Sequence, residues 1–233
     1  MNQGLVIETP PLDVYEQMAA DEVLCGELPC RYILRFYNWK NPGITFGYSQ
    51  RYKTIYGSVS KEISRYLEMA RRPTGGGIVF HESDVTFSLI FPWPREFKPM
   101  KAYSMLHTAV NAAYRESGIK SEISNAAAAN YDINHPAAMN CFSNPVDRDI
   151  LYNGKKILGG ALRSFGDYML YQASIQAENA RTECSFHREI ITKAFAGEFN
   201  VIWVKTELSE SRLEKTKELA LLKYRTVQWN ERI

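Results

Sequence analysis

Residues able to do chemistry gather in two stretches of the chain. The first runs Arg71-Arg72-Pro73-Thr74-Gly75-Gly76-Gly77-Ile78-Val79-Phe80-His81. Three adjacent glycines give a backbone free to reach positive φ and to let another molecule close on its N–H groups. The two arginines before them supply cationic forks, so the parts of a phosphate or carboxylate cradle are present. The same residues also read as a flexible turn between a helix and a strand, with the arginines on a solvated face. The segment is not a P-loop, which needs Lys-Ser or Lys-Thr after its last glycine, nor a GxGxxG dinucleotide loop.

The second stretch is Asn153-Gly154-Lys155-Lys156-Ile157-Leu158-Gly159-Gly160-Ala161-Leu162-Arg163. Asn-Gly is the pair preferred by two-residue hairpins of the primed type, because both central residues need positive φ. That turn sets Tyr152 opposite Lys155 and Leu151 opposite Lys156, and strand alternation then puts Lys156 on one face with Leu151 and Leu158. A lysine between leucines either snorkels at the sheet margin or is held for an anionic partner, and truncating it is expected to strand no buried charge. Lys155 turns to the opposite face. Fifteen positions before Lys156 stands Cys141, in Asn140-Cys141-Phe142-Ser143-Asn144-Pro145. It is a small apolar residue on one reading and a thiolate nucleophile on the other.

The elements that must hold these stretches are partly legible. Asp13 is an N-cap for a helix over DVYEQMAADEVLCGEL, with Val14, Met18, Val23 and Leu24 on its buried side. Strands follow at YILRFYNW and ITFGYS, with a turn at Lys40-Asn41-Pro42-Gly43. The pattern predicts a helix over Lys61–Ala70 and strands over Gly75–His81 and Val85–Phe91. A helix over Ala102–Ser117 closes on Gly118, and a capping box at Ser211 and Glu214 opens a last helix that buries Leu213, Ala220, Leu221 and Tyr224. The Ala126–Ala129 run, followed by Asn130, His135 and Pro136, reads as a loop.

Composition narrows the class. The chain has 233 residues, 45% of them apolar, and 28 Lys+Arg against 26 Asp+Glu, which excludes disorder and recommends no nucleic-acid partner. The scattered cysteines Cys25, Cys30, Cys141 and Cys184 have neither disulfide nor zinc spacing. With no secretory leader and no apolar run of membrane-spanning length, a cytoplasmic protein without a membrane partner is expected. No linker divides the chain, so residues 1–233 are expected to form one α+β domain.

Taken together, the segments resemble the lipoate-protein ligase and octanoyltransferase family, whose catalytic domain is shared with biotin ligases. The residues that carry the resemblance are MAADE, LRFYNWKNPGITFGYSQ, RRPTGGGIVFHESDVTFSL, NGKKILGGALRS and YQAS, in the family's order from Met18 to about Gln176. The resemblance implies a central mixed β-sheet with flanking helices, an acyl-binding cleft and no large accessory domain. For the main reading, an ATP-dependent lipoate-protein ligase, it implies ATP and Mg²⁺ with lipoate or octanoate, and an acyl-adenylate. The acceptor would be a lysine on the apo lipoyl domain of an E2 subunit or of glycine cleavage H protein. Carried over, Arg72 and the Gly75 to His81 backbone, with Gly159 and Ala161, would hold the adenylate. Lys156 would stand where negative charge develops. Trp39, Phe46 and Ile78 would line the acyl tunnel, and Arg71 would contact substrate. No metal ligand among the side chains is implied.

The resemblance also implies an alternative. A cysteine-dependent branch forms an acyl-thioester from octanoyl-acyl carrier protein with no cofactor beyond the donor, and it has a Cys-Phe pair at this distance from the lysine, which makes Cys141 the nucleophile. That branch commonly has arginine where this chain has Gly77, and a third glycine leaves room for a nucleotide, so the ligase is the expectation. The chain departs from the family at Gly160-Ala161-Leu162 and at Gln172-Ala173, where a non-catalytic acyl-binding relative would also differ. A basic and aromatic patch of Arg51, Tyr52, Lys53, Tyr56 and Lys61 is the feature a nucleic-acid reading would need.

Overall fold

In the computed structural model, residues 1–59, 66–94, 98–126, 141–142 and 145–233 are described. Eleven strands are found among them. They are β1 (Asn2–Glu8), β2 (Ile33–Phe36), β3 (Gly43–Phe46), β4 (Glu68–Arg71), β5 (Val79–His81), β6 (Val85–Pro92), β7 (Glu122–Ile123), β8 (Ile150–Tyr152), β9 (Lys155–Phe165), β10 (Tyr168–Ile175) and β11 (Val201–Glu207). The helices are α1 (Val14–Gly26), α2 (Tyr52–Ser58), α3 (Pro99–Glu116), α4 (Cys184–Phe199), α5 (Glu210–Leu219) and α6 (Val227–Asn230), with a π-helical turn at Ala220–Tyr224 between the last two. An eight-stranded sheet runs β11-β1-β2-β6-β10-β9-β8-β7, parallel at β11-β1-β2 and antiparallel beyond. A separate three-stranded sheet, β4-β3-β5, packs its own core of Ile44, Phe46, Ile55, Val59 and Ile78. The mixed sheet with flanking helices is as expected, and the small second sheet is an addition.

One face of the large sheet is covered by α3 and α4, where Leu106, Val110, Tyr114, Ile191 and Phe195 pack on Phe87, Leu89 and Tyr171. The other face carries α1. Asp13 caps α1 by accepting from the N–H groups of Tyr15 and Glu16, and Glu16 returns the bond, completing a capping box. The hairpin register is the expected one: Tyr152 faces Lys155, Leu151 faces Lys156, and Asn153 and Gly154 take φ of 50° and 74°.

Three expectations are corrected. In the helix placed over Lys61–Ala70, residues 61–65 lie outside the described residues, and Glu68–Arg71 is a strand, because its backbone pairs in parallel with Gly43–Phe46. The expected strand from Gly75 begins only at Val79, since Gly76, at φ 90°, turns the chain out of any ladder. The last helix opens on Ser209 without a side-chain cap, so Ser211 lies inside it, and the π-helical turn rotates Leu221 outward to 66% exposure while Ala220 and Tyr224 stay buried. In the expected Ala126–Pro136 loop, residues 127–136 lie outside the described residues.

Candidate functional site

Both glycine segments and Cys141 meet at one cavity between the two sheets. It is lined by Met18, Tyr37, Thr45, Arg72, Val79, His81, Thr86, Cys141, Phe142, Gly159, Gly160, Ala161, Gln172, Ala173 and Ser174. These come from β6, β9 and β10 of the large sheet, from β3 and β5 of the small one, from α1, and from the connecting residues Tyr37, Arg72, Cys141 and Phe142.

Lys156 and Cys141 stand together. The Lys156 ammonium donates to the Cys141 carbonyl at 2.8 Å and lies 3.8 Å from the Cys141 sulfur. Phe142 presents its ring to the same cation at 5.0 Å. The Cys141 N–H in turn donates to the Ile78 carbonyl at 3.0 Å, which ties the nucleophile candidate to the glycine loop. Gly159 leaves room for the lysine, since a Cβ on it would sit 2.3 Å from Lys156 Cε and one of the two would have to shift. The lysine does not snorkel. Its side chain is withdrawn from water and forms a 2.8 Å ion pair with Asp149, a residue the sequence reading missed. Its signal was present: a lysine among leucines needs a nearby acid, and Asp149 immediately precedes the strand that faces Lys156.

Arg72 lies in the cavity wall, but its fork is committed. Nε and Nη2 donate to the Gly75 carbonyl at 3.0 and 2.6 Å, Nη2 also to the Gly77 carbonyl at 2.8 Å, and Nη1 to Thr45 Oγ1 at 3.3 Å. Thus the arginine folds the glycine loop around itself. The positive φ falls on Gly76, whose neighbour across the loop is Cys141. Arg71 stands apart from the cavity. It is fully buried and donates to the carbonyls of Gly47, Tyr48, Gln50, Trp229 and Asn230, clamping the end of the chain to the small sheet. Burial, with Arg232 nearby, pushes it down to about 10. Phe46 and Ile78 are buried in the small-sheet core, Phe80 packs against that core, and Trp39 stacks on His81 at 4.3 Å, so none of these four lines the cavity.

Two buried polar networks shape the walls. Asp21, ion-paired with Arg35 at 2.7 Å with neither exposed, also accepts from Ser88, Tyr37 and Gln172. Gln172 thereby links α1 to Thr74 of the glycine loop at 2.7 Å. The second network centres on Asp84, which accepts from His81 at 2.8 Å, Thr86 at 2.6 Å and Ser174 at 2.7 Å. Burial pushes the Asp84 carboxyl up, but His81 and these hydrogen bonds bring it below its ordinary value.

Comparison with known proteins gives this geometry a context. A family model described as lipoyl protein ligase A/B catalytic domain matches residues 13–197. Octanoyltransferase LipM of Carboxydothermus hydrogenoformans is 26% identical, over 92% of this chain and 93% of that protein. Among solved structures, lipoate-protein ligase A bound with ATP superposes with a TM-score of 0.76 at 21% identity, covering 99% of both chains. A bi-partite lipoate protein ligase from Thermoplasma acidophilum, described with its E2 lipoyl domain, has a TM-score of 0.74 at 19% identity, over 99% of this chain and 96% of that one. Among the described residues no helix is long and apolar enough to cross a membrane, and no group of three or more His, Cys, Asp or Glu could hold a metal ion.

Proposed function

The chain belongs to the lipoyl protein ligase A/B catalytic-domain family, and we propose that within it the protein is an octanoyltransferase working through a thioester on Cys141. It moves an octanoyl group from acyl carrier protein to a lysine of an apo lipoyl domain. This replaces the ATP-dependent ligase expected from the third glycine, because the relative that spans nearly the whole chain bears the transferase name. The observation that carries the reading is the Cys141–Lys156 pair at 3.8 Å, with Cys141 in the wall of the cavity.

The chemistry follows from that pair. A Cys141 thiolate beside the Lys156 ammonium attacks the thioester carbonyl of the donor. A new C–S bond forms, and the carrier thiol leaves with its electron pair and takes a proton. The fixed cation stabilises charge on sulfur when the thiolate is present and again when it is released. A nucleotide would find Arg72 already bonded to the Gly75 and Gly77 carbonyls, so the residues described do not present that fork to a phosphate. The cavity at rest is about 30 Å³, so an eight-carbon chain requires the lining side chains to part.

Mass spectrometry tests the reading directly. Octanoyl-acyl carrier protein without ATP should leave an octanoyl adduct on Cys141 that hydroxylamine clears, and an apo lipoyl domain should then gain the octanoyl mass. Cys141→Ser should abolish both. Modification of the domain only with ATP and free acid, undiminished in Cys141→Ser, would overturn the proposal.

A further inference from the structure

Three segments remote in sequence meet beside the glycine loop. Tyr48 follows β3, and its N–H donates to the Thr74 carbonyl at 2.8 Å. Arg163 stands on β9, and its Nη1 donates to the Pro73 carbonyl at 2.8 Å. Arg232 is brought in by α6, whose Trp229 and Asn230 carbonyls Arg71 holds against the small sheet. The Arg232 guanidinium lies 3.8 Å from the centre of the Tyr48 ring, and that of Arg163 lies 4.4 Å from it. Trp229 packs on the same ring at 5.9 Å and carries Arg232 at 5.5 Å.

This cluster is open to solvent and has no counter-ion. Tyr48 and Arg163 are half-buried and Arg232 is exposed. Arg35, Lys156, Lys223 and Arg225 each hold an acid, whereas among the described residues neither Arg163 nor Arg232 has a carboxylate partner. The Tyr48 hydroxyl adds a third donor. Hydrogen bonding from Arg232, followed by the Arg232 charge and a bond from Arg163, outweighs burial and lowers that hydroxyl below its ordinary value. An oxygen that accepts from two cations still has its own hydrogen to give.

The cluster also stands close to the reacting sulfur. Ala161, in the cavity wall, precedes Arg163 by two residues on the same face of β9, so the fork is rooted about 7 Å along the strand from that wall. The loop that Tyr48 and Arg163 grip contains Gly76, and a Cβ on Gly76 would lie 3.8 Å from the Cys141 sulfur. Two guanidinium forks and a phenol suit an anion with several oxygens. The acyl donor has one: the arm that presents the thioester is pantetheine, and its far end is a phosphodiester on the carrier protein. The acceptor lysine brings no such obligatory anion. We propose that Tyr48, Arg163 and Arg232 form the subsite for the phosphate of the donor's pantetheine arm, holding it beside the glycine loop while the thioester reaches Cys141. The proposal rests on the thioester reading above. Coenzyme A has the same phosphorylated arm and presents the same chemistry.

Three donors separate a phosphate site from a structural role. Acylation of Cys141 is timed by mass spectrometry with octanoyl-carrier protein, octanoyl-coenzyme A and octanoyl-pantetheine, which has no phosphate, in wild-type, Arg163→Gln and Arg232→Gln proteins. Each variant should lose about tenfold in second-order rate with both phosphorylated donors, the scale of one charge-assisted hydrogen bond, while octanoyl-pantetheine stays within about threefold of wild type. Equal slowing of all three donors would make the arginines structural and overturn the site. A loss confined to the carrier protein would assign them to its surface, and a loss confined to coenzyme A to its nucleotide; either overturns the phosphate assignment. If the wild type forms no adduct with any donor, the thioester reading falls and the subsite falls with it. Adducts that form as fast in both variants as in the wild type overturn the subsite alone.

Discussion

Lys156 Nζ lies 2.8 Å from Asp149 Oδ2, with the two side chains 2% and 0% exposed. Asp149 is itself held by the Tyr103 hydroxyl and the Val146 N–H, each at 2.7 Å. Lys156 is therefore half of a buried ion pair, which changes what its removal does. Lys156→Ala strands a buried carboxylate and should cost about 3–5 kcal/mol of stability as well as the chemistry. Adding Asp149→Asn to it should recover much of that stability and none of the activity. Urea unfolding of the single and double variants checks this. A single variant as stable as wild type would mean that the pair contributes nothing to the fold.

Neighbouring glycines should behave differently. Gly76 has φ of 90°, and a Cβ on it would fall 2.7 Å from Arg72 Nη2, whereas a Cβ on Gly75 would meet nothing within 4 Å. Gly76→Ala should lose about 1–3 kcal/mol and slow Cys141 acylation, since Arg72 and the loop must shift. Gly75→Ala should stay within about 0.5 kcal/mol. Equal effects of the two in the same unfolding series would show that the loop is not bound to this conformation.

Acid sensitivity should trace to His107. It stacks on Tyr103, its Nε2 lies 2.7 Å from the Tyr171 hydroxyl, and burial pushes it from 6.5 down to about 3. Between those values the unfolded chain takes up a proton that the folded protein refuses. Stability should therefore be level above about pH 6.5 and fall as pH drops toward 3, by up to about 1.4 kcal/mol per unit. His107→Gln should flatten that slope, so the gap to wild type narrows as pH falls. Parallel curves from pH 7 to 4 would exclude His107 as the cause.

Arg71 should matter to the fold and little to the acyl chemistry. A lysine in its place cannot span the carbonyls of Gly47, Gln50 and Asn230 together. Arg71→Lys should cost about 3 kcal/mol and expose the last residues to protease. Unchanged unfolding and an intact terminus would show that the clamp is dispensable.

Short-range chemistry was readable in the sequence. Asn153-Gly154 set the hairpin register because only that pair takes two positive φ cheaply, and Asp13 started α1 because its carboxylate accepts from free helix N–H groups. The ordered motifs from MAADE to YQAS carried the family. Tertiary structure decided what depends on distant partners. Glu68–Arg71 became a strand because Gly43–Phe46 was there to pair with it, and Arg72 turned onto its own loop's carbonyls. Tyr48, Arg163 and Arg232 come together only because the end of β3, β9 and the last residues converge. Lys156 met Asp149 because β8 folds back on β9 and brings the residue just before β8 beside the lysine. Charge satisfaction and strand pairing act through space, and neither is encoded in the spacing of neighbours along the chain.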